Sequence, residues 1–208
     1  MALKISVIMP SYLGHYDGCA TERELKLVRA VYSFLENTYE NKELVIISDG
    51  CYRTIEIYNL LFSSYDNIKL VKMDKQPLFS GSVRQTGIDQ CNGEIITFLD
   101  IDDIIGNDHL SRIVYYIHAM RLDWCYYDAT LGYGKNTFGI SETTLVGGNC
   151  GTSSISYLKS MGVSWDKCDG AGHDWNFIIW LMRSSKNYKK IDEIKSYHIC
   201  HINGKFDI

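Results

Sequence analysis

Residues 95–103 carry the chemistry that is easiest to read. An apolar run of β type, Ile95-Ile96-Thr97-Phe98-Leu99, ends in Asp100-Ile101-Asp102-Asp103, which sets three carboxylates within four positions. A buried strand cannot hold that much negative charge without a cation. A loop at the C-terminal end of a parallel strand can, and open α/β sheets place their ligands there. Hard oxygen ligands suit Mg²⁺ or Mn²⁺, above all when a nucleoside diphosphate supplies the remaining ligands. The plainer reading of the same run is an acidic turn that caps the next helix.

The other metal-ligating and nucleophilic side chains form no such cluster. Seven cysteines (Cys19, Cys51, Cys91, Cys125, Cys150, Cys168 and Cys200) are scattered without a C-x-x-C pair. Reduced thiols that mostly pack, in a cytoplasmic protein, are expected rather than a disulfide framework or a zinc ribbon. His198-Ile199-Cys200-His201 offers zinc-type ligands, but a structural zinc needs about four converging groups and no second cluster accompanies this one. His15, His109 and His118 have no partner pattern and read as surface or packing residues.

The elements that must position the acidic loop follow from hydrophobic periodicity. Strands are expected at residues 3–9, 43–47 and 68–71, and one ending at Asp100; helices are expected at 21–36, 54–63 and 83–91. Strand–helix alternation of this kind predicts a mostly parallel sheet with right-handed crossovers, an α/β fold. The second half is less regular: a helix at 109–120, a strand at 124–130, glycine-rich loops with short strands at 132–151, and helices near 154–161 and at 174–183. Two short strands are expected at 188–201. No linker or repeat appears, so residues 1–208 are expected to form one domain, with a nucleotide half (1–103) and an acceptor half (104–208). At 46% hydrophobic and 22% charged residues the chain can bury a core, and a net charge of −4 gives no general attraction to nucleic acid. No apolar stretch reaches the roughly 20 residues that cross a bilayer, and no secretory pattern opens the chain.

The ordered motifs resemble a known family. Pro10-Ser11-Tyr12 ends the first strand, Ser48-Asp49-Gly50 ends the second, Gly81-Ser82-Val83-Arg84-Gln85-Thr86-Gly87-Ile88 opens a helix, and Leu99-Asp100-Ile101-Asp102-Asp103 ends the acidic strand. The set is similar to the family-two inverting glycosyltransferases of the GT-A fold, the nucleotide-diphospho-sugar transferase fold. In the second half, Val146-Gly147-Gly148-Asn149, Met161-Gly162-Val163-Ser164-Trp165-Asp166 and Gly172-His173-Asp174-Trp175 resemble the family's acceptor-side segments. His173 stands where the family usually has Glu.

The resemblance implies an enzyme of hexosyltransferase type that uses a UDP-sugar donor, a glycan or glycoconjugate acceptor and Mn²⁺ or Mg²⁺. It implies a nucleotide-sugar site of Pro10, Ser11, Tyr12, Asp49, Arg84, Asp100, Ile101 and Asp102. In that site Tyr12 stacks on the base, Asp49 accepts from uracil N3–H, Arg84 reaches the nucleotide and Asp100 contacts ribose or sugar. Asp102, the last residue of the DxD motif, is the implied metal ligand. A late histidine often completes that metal site; residues 198 and 201 point to opposite sides of a strand, so one of them at most is a ligand, and His201 fits the family's spacing better. Asp174 is the implied catalytic base, with His173 beside it as the second candidate. Asp103 binds sugar hydroxyls or caps the following helix, and the cap is favoured.

These residue types suit glycosyl transfer. The leaving diphosphate gains negative charge, which a divalent cation stabilises. The attacking hydroxyl loses a proton, which a carboxylate on the opposite side of the anomeric carbon accepts. One base opposite one leaving group gives a single displacement and hence inversion. A sugar-phosphate nucleotidyltransferase is the alternative enzyme, but residues 10–15 lack its glycine-rich cationic phosphate loop. A non-catalytic sugar-nucleotide or glycan-binding module is the alternative outside enzymes, and only the His173 replacement favours it. No G-x-G-x-x-G follows the first strand, which disfavours a dinucleotide-binding dehydrogenase.

Overall fold

The apolar runs do become central strands. The structure, a computed structural model, describes residues 2–17, 19–77, 80–131, 136–138, 154–166, 168 and 172–198. β1 (Ile5–Ser11), β2 (Lys42–Asp49), β3 (Ile68–Met73) and β4 (Ile95–Phe98) form a parallel block in the order β3-β2-β1-β4. β1 is buried on both faces, with Ile5, Val7, Ile8 and Met9 at 0% exposure, as its unbroken apolar pattern requires. Val7 and Met9 join the core on one face and Ile8 the core on the other, the two-residue period of a strand.

Helices cover both faces. α1 (Arg23–Leu35), α2 (Tyr52–Leu61) and α4 (His109–Met120) pack on the Val7 face, and α3 (Gly81–Gln90) and α5 (His173–Ser184) on the Ile8 face. α4 shows why: Leu110, Ile113, Val114 and Ile117 fall at helical spacing and all are buried. His109 packs edge-on against the Tyr127 ring, 5.2 Å between centroids. α3 approaches the sheet closely at Gly87, where a Cβ would lie 2.6 Å from Ile47 Cδ1 and 2.7 Å from Ile8 Cγ2.

The second half extends the sheet antiparallel. β7 (Ile155–Leu158) lies between β4 and β5 (Trp124–Leu131) and runs against both. β6 (Asn136–Phe138) also pairs antiparallel with β5, while β8 (Tyr188–His198) runs parallel along β5 with a register shift opposite residues 126–128. The result is a mostly parallel mixed sheet between helical layers, as expected for the GT-A fold.

Three local expectations are corrected. The helix expected near 154–161 is instead β7 followed by a 3₁₀ turn, Lys159–Met161. Ile155 and Tyr157 are at 0% and 1% exposure in the slot between two strands, and that slot overrides local helical spacing. The two short strands expected at the tail are one eleven-residue strand as far as His198. Asp103 does not cap α4: the residue before the helix is Asp108, and Asp103 is 3% exposed. The loops expected at 132–151 lie outside the described residues except 136–138.

Glu43 of β2, buried beside Ser6 of β1, anchors the turn that starts β4. Glu43 accepts from Ser6 Oγ at 2.5 Å, from the Asn92 backbone N–H and from Lys4 Nζ at 2.9 Å. Burial alone would raise its pKa, but the hydrogen bonds from Ser6, Asn92 and Lys4 outweigh it and bring it from 4.5 down to about 2. Cys51, Cys91 and Cys125 pack in the core. Among the described residues no helix is long and apolar enough to cross a membrane.

Candidate functional site

Parallel pairing brings the sequence motifs to one edge. Ser11 of β1 pairs with Ser48 of β2, Asp49 pairs with Met73 of β3, and Ile8 pairs with Phe98 of β4. The C-terminal ends of these strands therefore open side by side, the usual ligand edge of such sheets.

Asp49 lies at the end of β2 at 7% exposure. Its Oδ2 accepts from Lys75 Nζ at 2.7 Å and its Oδ1 from the Gln76 backbone N–H at 2.6 Å. Gly50 makes this possible: it sits at φ +61°, and a Cβ there would lie 2.6 Å from the Lys75 backbone nitrogen. Lys75 Nζ also stands 4.4 Å from the centre of the Tyr12 ring. Tyr12 and Asp49 thus share a neighbour that motif spacing did not single out. Lys75 follows β3 closely, and in a parallel sheet that places it at the same edge as the β2 turn.

Two members of the expected nucleotide set have inward side chains. Ser11 Oγ is 2.8 Å from Thr54 Oγ1 in the first turn of α2, and Ser11 is 1% exposed. Ile101 is 6% exposed and belongs to the core. Donor contacts from either would come from its backbone. Pro10 is half-buried at the end of β1.

The acidic loop is held from two sides. Asp103 N–H donates to Asp100 C=O at 3.1 Å, which tightens the turn, and Arg29 of α1 donates to Asp102 C=O at 2.7 Å. The Asp102 carboxylate is half-buried and accepts no hydrogen bond from a described residue. Among the described residues no three His, Cys, Asp or Glu side chains converge as a closed metal cage. The donor set fits the other kind of site, in which Mg²⁺ or Mn²⁺ is held by one or two carboxylates together with substrate phosphates and waters. His201 lies outside the described residues; β8 carries the backbone up to His198.

Arg84 differs most from expectation. Its side chain is 5% exposed and does not reach out to solvent. Nη2 donates to Asp100 Oδ1 at 2.8 Å, Nη1 donates to Ser80 Oγ, and Nη1 stands 3.9 Å from Asp174 Oδ1. The guanidinium carbon is 5.3 Å from the Trp165 ring and 5.9 Å from the Phe98 ring. Trp165 in turn stacks on Phe177 of α5 at 4.1 Å and 7°. Asp174 occupies the first turn of α5, and His173 Nε2 lies 3.5 Å from Asp174 Oδ1, with the His173 ring 5.9 Å from Trp165. Asp100 and Asp174, far apart in the chain, thus face one guanidinium, Asp100 by a hydrogen bond and Asp174 at 3.9 Å without one. Sequence reasoning gave Ser80 no role and named Trp165 only within an acceptor-side motif, because their contacts with Arg84 arise from tertiary packing.

Comparison with known proteins identifies the family and the fold. Residues 6–146 match the model of glycosyl transferase family 2. An uncharacterized glycosyltransferase of Haemophilus influenzae is 37% identical over 111 residues, which is 52% of this chain and 40% of that protein. Glycosyltransferase GlyA of Streptococcus pneumoniae is 27% identical over 110 residues, 53% of this chain and 14% of that protein. The matched segments thus span less than half of these relatives. Among solved structures, S. aureus TarS 1-349 in complex with UDP-GlcNAc superposes with a TM-score of 0.78 at 15% identity, covering 96% of this chain and 59% of that one. Mannosyltransferase PcManGT from Pyrobaculum calidifontis, in complex with GDP-Man and Mn²⁺, superposes with a TM-score of 0.69 at 10% identity, covering 98% of this chain and 59% of that one. These likenesses show the GT-A fold, and the family model covers about two thirds of the sequence. The chain therefore belongs to glycosyl transferase family 2.

Proposed function

We propose that the chain transfers a sugar from a UDP-sugar to a hydroxyl of a glycan or glycoconjugate, with inversion at the anomeric carbon and with Mn²⁺ or Mg²⁺ bound. The 208 residues act in this reading as one catalytic domain in the cytoplasm. The observation that carries it is the meeting of Asp100, on the donor loop, with Asp174, at the start of α5, on the single buried Arg84 guanidinium.

Asp174 is the base in this reading. The acceptor oxygen forms a bond to the anomeric carbon as the bond from that carbon to the diphosphate oxygen breaks. The acceptor proton passes to the Asp174 carboxylate, and the bonding pair leaves with UDP. Asp102 would hold the metal, which when bound stabilises charge on the leaving diphosphate. Asp49 selects uracil by accepting from its N3–H, and Tyr12 supports the base. The UDP-GlcNAc complex of TarS fits a uracil donor, while the GDP-Man complex of PcManGT shows that the fold also serves guanine, so the Asp49 side chain carries the base assignment.

The test is a thermal-shift screen of UDP-, GDP-, CDP- and ADP-sugars with and without Mn²⁺. A donor at 100 times its Kd stabilises by about 2.7 kcal/mol. The stabilising donor is then incubated with candidate acceptors, and the anomeric configuration of the product is read by NMR. A retained configuration, or stabilisation without Mn²⁺ equal to that with it, would overturn the corresponding part of the proposal.

A further inference from the structure

The structure assigns Arg84 the role of a positioning residue that locks Asp174 to the donor loop, rather than that of a nucleotide contact. This inference rests on the glycosyl-transfer reading above. An arginine that reached out to a diphosphate would present its fork to the open edge of the sheet. Here the side chain is 5% exposed, one end of the fork is on Asp100, and the other faces Asp174 and Ser80. Phe98 and Trp165 flank the guanidinium. Arginine suits this place because its planar fork can bond Asp100 at one end while its other end, bonded to Ser80, keeps its charge 3.9 Å from Asp174, whereas a lysine ammonium is a single point charge.

The helix that carries Arg84 is built as a strut. Gly87 brings α3 against Ile8 of β1 and Ile47 of β2, so the base of the side chain is fixed to the nucleotide half. One residue along, Gln85 Oε1 accepts from the Trp165 backbone N–H at 2.8 Å, which ties α3 to the acceptor-side segment. At the start of α3, Gly81 lies close to the Cys168 backbone; a Cβ there would come within 3.1 Å of its carbonyl oxygen. Three successive contacts from one helix therefore join the two halves, and Arg84 is the one whose far end is the base. A displacement of about 1 Å in a reacting group can cost a hundredfold in rate, so such a strut acts on the chemical step.

The test compares Arg84→Lys with wild type and with Asp174→Asn. UDP affinity is measured by calorimetry with Mn²⁺, kcat and KM are measured with the stabilising sugar nucleotide, and melting temperatures are taken for each single variant and for the pair. Arg84→Lys should keep UDP affinity within about threefold and lose on the order of a hundredfold in kcat. Combined with Asp174→Asn it should cost little more than Asp174→Asn alone, because the two residues act as a unit. A loss of UDP affinity in Arg84→Lys that matches its loss of kcat/KM would overturn the inference in favour of a nucleotide contact, and so would unchanged kcat. If wild type transfers no sugar, the glycosyl-transfer reading fails, and the lock is judged on melting temperature alone. Shifts for Arg84→Lys and Asp174→Asn that simply add would overturn it, and non-additive shifts would support it.

Discussion

Lys75 and Asp49 form an ion pair at 2.7 Å in which the ammonium also faces the Tyr12 ring. One cation therefore stands between the ring expected to stack on a base and the carboxylate expected to hydrogen-bond to it. A base entering here must share Asp49 with Lys75 or move it aside.

Competition among UDP, CDP, GDP and ADP should favour UDP, with Asp49→Asn weakening UDP by about tenfold or more, the scale of a lost charge-assisted hydrogen bond. Displacement of a labelled nucleotide gives the ranking. A preference for GDP or CDP would mean that Asp49 serves only to hold Lys75 and the Gln76 backbone.

Metal dependence should run through Asp102. Asp102→Asn should stay folded, because its carboxylate accepts no hydrogen bond from a described residue, yet lose the gain in UDP affinity that Mn²⁺ confers on wild type. Calorimetric titration with and without Mn²⁺ measures this directly, and an unchanged Mn²⁺ effect in the variant would remove Asp102 from the metal site.

Asp174→Asn should retain donor binding and lose transfer by on the order of a hundredfold or more, the usual scale of general base catalysis. His173 lies 3.5 Å away and is the competing base. Near-normal turnover in Asp174→Asn, together with an inactive His173→Ala that still binds donor, would move the role to His173.

Glu43 predicts how stability depends on pH. Its pKa is depressed in the folded chain, so its contribution is fully present above the ordinary carboxyl value of 4.5 and is lost as pH falls from there through about 2. A shift of this size corresponds to up to roughly 3 kcal/mol. Glu43→Gln should therefore be less stable than wild type at pH 7, and the difference should shrink steadily in urea melts at pH 5, 4 and 3. A gap that stays constant over this range would show that the hydrogen bonds from Ser6, Asn92 and Lys4 do not depend on charge.

The sequence was most legible where local pattern and burial agree. Ile5, Val7, Ile8 and Met9 form an apolar run that only a strand buried on both faces explains, and Leu110, Ile113, Val114 and Ile117 mark α4 to its observed ends. Residues 154–161 were not legible as a strand, because the short run Ile155-Ser156-Tyr157-Leu158 gains its β character from the neighbours β4 and β5. The acidic loop stood out as a candidate site element by its three carboxylates at a strand end, whereas Asp49 before Gly50 also reads as an ordinary turn residue and drew its expected role from the resemblance of the ordered motifs. Arg84 was readable as a residue of interest but not as a buried one, because its partners Asp100 and Asp174 come from elements distant in sequence. Lys75 carried no local signal; only its place after the strand beside β2 brings it to Asp49.

The position of β7 also bears on how the chain assembles. β4, which carries the acidic loop, has β1 on one side and β7 on the other. The outer edge of residues 95–97 is hydrogen-bonded only once residues 156–158 have paired with it. Until then the strand at the centre of the site presents unpaired N–H and C=O groups, which other chains can also recruit. Residues 1–103 made alone would keep that edge open, so aggregation should be their main failing.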